Sequence, residues 1–137
     1  MAFKIDKNGD ITLIQGDSGT ITVNGIKTDK SYTVHFGIQD RKRRPVGNEI
    51  VVNSNGMSTV VFELTGNYTD LLTVDKNKNF EIYFYGVKIC DEASNYENTL
   101  IFGNGGIGSL NTITVFPKKV EGIQVWHNLL MKMNLLP

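Results

Sequence analysis

Residues 11–23 read ITLIQGDSGTITV, and this stretch decides the class of fold. It divides into two short β-type runs, 11–14 and 20–23, separated by Gln15-Gly16-Asp17-Ser18-Gly19. In the second run Ile21 and Val23 alternate with Thr20 and Thr22, the two-residue period of a strand with one buried face. Two glycines flank Asp-Ser, where glycine tolerates positive φ and the polar side chains bond their own backbone. Such a unit, strand, sharp bend, strand, opens an all-β domain.

Working outward, Asp6-Lys7-Asn8-Gly9-Asp10 joins the first run to an earlier one at 3–5, and Asn-Gly is a strong hairpin signal. The same residues begin like a calcium loop, D-x-N-x-D. Glycine comes too early, however, and the later bidentate acid is missing, so a turn is expected. Tyr32, Val34, Phe36 and Ile38 alternate with Thr33, His35 and Gly37, which makes 32–39 a half-buried strand with His35 on its polar face at the surface. Val60, Phe62 and Leu64 face inward from a strand at 58–64. Residues 65–74 lose that alternation and read as a crossover with one helical turn around 70–72.

The run 80–90, FEIYFYGVKIC, is apolar on both parities, so it is a central strand or keeps one face for a partner. An acidic loop at 91–98 and a short strand at 99–102 follow. The glycine-rich stretch 103–108 is followed by neither a Lys-Ser/Thr pair nor a helix, so it reads as a strand-to-strand loop and not as a phosphate cradle. Residues 111–116 are the last strand, stopped by Pro117. The period then changes. Ile123, Trp126, Leu130 and Met133 recur at three and four, with Leu129 beside them, predicting an amphipathic helix of about 14 residues and about 21 Å. The expected organisation is a β domain at 1–119 and a helical docking or oligomerisation segment at 120–137.

Composition narrows the function. At 137 residues the chain is one domain's worth. Fourteen basic and fourteen acidic residues cancel, leaving no global field to attract nucleic acid or an anionic membrane. No run approaches the ~18 apolar residues of a membrane span, and the N-terminus turns polar at once, so a soluble product is expected. Cys90 stands alone and reads as an inert buried or half-buried thiol. No local motif for a nucleophile, metal or nucleotide occurs, so no catalytic, cofactor or metal residue is expected, nor a concave pocket with convergent polar groups. Two features suit a protein partner. One is the helical stripe, Ile123, Trp126, Leu129, Leu130 and Met133, which either packs on its own β domain or serves as an assembly surface. The other is Arg41, Arg43 and Arg44 in the basic run after Asp40, a solvated hairpin tip or a contact for an acidic subunit. An alternative is a carbohydrate-binding module in which Tyr83, Tyr85, Tyr96 or Trp126 stack on glycans.

In order along the chain, I-T-L-x-Q-G-D-S-G-T-I-T-V, then Ile38-Gln39-Asp40 through Pro45-Val46-Gly47, then 86–91 and 112–117, the sequence resembles N-terminal domains of tailed-phage structural proteins. It resembles notably the baseplate upper protein N-terminal domain and phage fibre anchoring domains, over about residues 3–121. The resemblance implies an immunoglobulin-like antiparallel β-sandwich, usually trimeric or ringed, that anchors a fibre or receptor-binding module to the virion. It implies other virion structural proteins as partners and manufacture in the host cytoplasm. In that family a coiled coil and a tip follow. Here one predicted helix follows, which favours an anchoring, adaptor or fibre-base role for a head or tail component.

Overall fold

The bend at residues 15–18 carries the chain from one sheet to another in the structure, a computed structural model that describes residues 3–103 and 110–120. Strand β2 (Ile11–Ile14) precedes it, paired with β1 (Lys4–Ile5) in a seven-stranded sheet. Strand β3 (Gly19–Val23) follows it in a two-stranded sheet. Gly16 sits at φ 87° and the Asp17 N–H donates to the Ile14 carbonyl at 3.0 Å, so the reversal needs a residue free of Cβ strain.

Strands β4 (Thr33–Gln39), β5 (Ile50–Asn53), β6 (Val60–Leu64), β7 (Glu81–Asp91), β8 (Tyr96–Leu100) and β9 (Asn111–Phe116) complete the sheets among the described residues. The larger sheet runs β1-β2-β9-β7-β4-β5, with β8 extending it on β7, and the smaller pairs β3 with β6. Side-chain alternation places Val34, Phe36, Ile38, Tyr85, Val87, Ile113 and Val115 on the inner face of the first sheet. Ile21, Val23, Phe62 and Leu64 occupy the inner face of the second, and all belong to one buried cluster. The Phe36 and Phe62 rings meet between the sheets, 5.6 Å apart. Removing either ring is expected to cost about 3–5 kcal/mol.

The all-β expectation holds, and several finer ones are corrected. The sheet is mixed, not antiparallel throughout: β9 runs antiparallel to β7 and parallel to β2. Such a pair needs a long connection between its members, which the whole intervening chain supplies. The helical turn lies at α1 (Gly66–Thr69), ahead of 70–72, because the Thr65 hydroxyl caps it by accepting the Tyr68 N–H at 3.2 Å. The acidic stretch 91–98 is the tip and first residues of a hairpin. Asn95 takes the left-handed conformation (φ 58°) that reverses the chain after a 3-10 turn, and β8 starts at Tyr96, before the expected 99. The helix predicted at 120–137, beyond Val120, and most of the glycine-rich loop lie outside the described residues.

Candidate functional site

The basic run becomes the tip of the β4–β5 connection. The Val46 N–H donates to the Ile38 carbonyl at 2.9 Å, and Gln39 and Pro45 form the last bridge. Between them Asp40 organises the turn. Its Oδ1 accepts the N–H groups of Lys42 (2.8 Å) and Arg44 (3.0 Å), and its own N–H donates to the Arg44 carbonyl at 2.9 Å. Arg44 Nε also donates to Asp40 Oδ2 at 2.8 Å. The Arg44 N–H holds the Asp40 carboxyl below the usual carboxylate range, helped by the Arg44 side chain and the Lys42 N–H. Arg44 is therefore committed to its own turn, while Arg41 and Arg43 project into solvent. Arg43 does so from a left-handed backbone, φ 64°.

The last described residues, after β9, lie close by. Lys118 Nζ pairs with Asp70 Oδ1 at 2.5 Å, and Gln15 Nε2 donates to the Asp70 carbonyl at 2.8 Å. Leu71, next to Asp70 and 49% exposed, lines one surface groove together with Thr73, Arg41 and Arg44. Folding thus brings the basic hairpin and Lys118 to one pole of the larger sheet. The other expected contact residues, Ile123, Trp126, Leu129, Leu130 and Met133, lie outside the described residues, as does Trp126 in its glycan-stacking role.

The remaining candidates sort by burial. Tyr83 and Tyr85 are core residues, 5% and 8% exposed, and offer no stacking face. Tyr83 Oη donates to the Thr73 carbonyl at 2.5 Å and Tyr85 Oη to that of Gly9. Tyr96 is half-buried, its ring 5.8 Å from Tyr32 with the Lys27 ammonium 5.1 Å above it. Cys90 is buried, and burial pushes its thiol pKa up. In the first hairpin Asp6 Oδ1 accepts the N–H groups of Asn8 and Asp10, and Asp10 Oδ1 accepts that of Thr112. Those carboxylate oxygens serve the turn. Among the described residues no three His, Cys, Asp or Glu side chains gather to hold a metal ion, and no helix is long and apolar enough to cross a membrane.

Two features depart from the expectations. His35 is half-buried, not a surface residue: its Nδ1 lies 3.2 Å from Glu49 Oε2, while its Nε2 is shielded from solvent without a partner among the described residues. A concavity of about 400 Å³ also exists, on the outer face of the larger sheet. Its signal in the sequence was two mid-strand glycines, Gly37 and Gly86, which become neighbours only through the pairing of β4 with β7. No protein-family model matches the chain, and no curated protein matches it.

Proposed function

We propose that this chain is a non-catalytic structural module of a phage virion, an immunoglobulin-like β-sandwich that self-associates, as a trimer, and anchors or adapts a head or tail component. The sandwich reading is supported by two sheets sharing one core and by the strand order β1-β2-β9-β7-β4-β5 against β3-β6. In that arrangement β2 and β9, from opposite ends of the described chain, lie side by side and parallel near one edge of the larger sheet.

The observation that carries the assembly reading is the convergence at one pole. Arg41 and Arg44, exposed Leu71 and Lys118 sit together there. Exposed Leu71 among these charges suits an interface, and the expected stripe of Ile123, Trp126, Leu129, Leu130 and Met133 follows Lys118 in the sequence. Arg41 and Arg43 suit an acidic neighbouring subunit. Sedimentation equilibrium tests the reading. The full chain is expected to run as a trimer and Leu130→Asp as a folded monomer. A full chain that stays monomeric at every concentration would overturn it.

A further inference from the structure

We infer that the outer face of the larger sheet carries a saccharide-binding depression floored by Gly37 and Gly86. The two glycines are direct partners in the β4–β7 ladder, so a dent one residue long and two strands wide opens in the sheet. The flanking rungs of the same ladder are His35–Lys88 on one side and Gln39–Phe84 on the other, and they close its ends. Arg43 and Glu49, from the β4–β5 connection, close one flank.

Nothing among the described residues requires these glycines. Neither has a left-handed φ. A Cβ on Gly86 would meet nothing within 4 Å among the described residues, and one on Gly37 would make ordinary contact with Glu49 Cγ at 3.6 Å. Glycine inside a strand is destabilising by about 0.5–1 kcal/mol against alanine. With no packing among the described residues to explain them, and no bulge in the ladder, these glycines suit close approach from outside.

The occupant is identified by what the walls offer. An extended peptide needs a free strand edge, and the ladder hydrogen bonds here are already made between β4 and β7. A cavity of about 400 Å³ matches a compact ligand. An amide (Gln39), a guanidinium (Arg43) and a carboxylate (Glu49) line it together with the half-buried ring of Phe84. That combination fits a sugar ring, whose hydroxyls take the polar rim while its C–H face lies on the phenyl group. This site uses none of the tyrosines considered from the sequence, and it is independent of the assembly reading.

The test applies labelled full chain to an array of neutral, amino and acidic saccharides, then confirms the highest-ranked free sugar by saturation-transfer NMR. Wild type is expected to bind. Gly86→Leu, which fills the dent, should weaken binding at least about tenfold with unchanged circular dichroism. Gln39→Ala provides a second variant that leaves the ladder intact and should also weaken it. Absence of binding to every sugar, or equal binding by wild type and both variants, overturns the inference. So does a Gly86→Leu chain that changes only its sedimentation, which would make this face a contact between copies. A monomeric full chain that still binds sugar would remove the assembly reading and leave this one standing.

Discussion

Residues 6–10 and 40–44 are the same turn made from different side chains. In each, an aspartate Oδ1 accepts two N–H groups, at 2.8 and 3.0 Å, from the residues two and four positions on. In each, the aspartate N–H reaches the carbonyl four residues on at 2.9 Å, and the fourth residue has a left-handed φ. At that fourth position one turn has Gly9 and the other Arg43. Gly9 is enclosed: an added Cβ would lie 2.8 Å from Phe102 Cβ, and Tyr85 Oη donates to its carbonyl. Asn111 Nδ2 also donates to the Asn8 carbonyl at 2.8 Å, so the first turn is docked on its own domain. The second stands out in solvent with a backbone strain that glycine would relieve. Where the turn faces inward, packing chooses the residue; where it faces outward, the side chain it presents does.

The sharpest way to break this comparison is to exchange the residues. Gly9→Arg adds left-handed strain and a clash with Phe102, so a loss of about 3 kcal/mol is expected in urea denaturation. A loss within experimental error would mean the first turn is not enclosed. Tyr85→Phe removes the bond to the Gly9 carbonyl and is expected to cost about 1 kcal/mol. Burial also pushes the Tyr85 pKa up to about 12 from 10.0. Its neutral form is therefore favoured by folding, and that stability is full below pH 10.0 and lost as pH rises toward about 12. The Phe variant should lack that alkaline loss.

Arg43→Gly is expected to go the other way, raising stability by about 1 kcal/mol while weakening whatever the outward turn contacts. A destabilised variant would show that the arginine serves the fold. The smallest effect belongs to the Asp40 charge, on the solvent side. Its pKa lies below the usual 3.8, so its contribution is complete above 3.8 and disappears as pH falls from there through the depressed value. Denaturation curves of Asp40→Asn should be flatter than wild type in that acid window alone.

Strand faces were legible where one side is buried. Tyr32, Val34, Phe36, Ile38, Val60, Phe62 and Leu64 are all buried as their alternation requires. Strand β8 was not, because Tyr96–Leu100 is exposed or half-exposed on both faces and leaves no period to read. The parallel β2–β9 pair and the Gly37–Gly86 dent are products of long-range register, which no local pattern encodes. The kinship of the two turns was hidden because Asn-Gly announces the first and Arg-Arg conceals the second. The basic hairpin was visible in the sequence as a candidate contact; its meeting with Lys118 needed the fold.

Amide hydrogen exchange on the full chain, followed across the concentration range of self-association, tests the central claim most directly. Protection should rise at 40–44, Leu71 and 118–120 as the chains assemble, and stay constant at 6–10. Equal changes at both turns, or none at 40–44, would contradict an assembly surface at that pole.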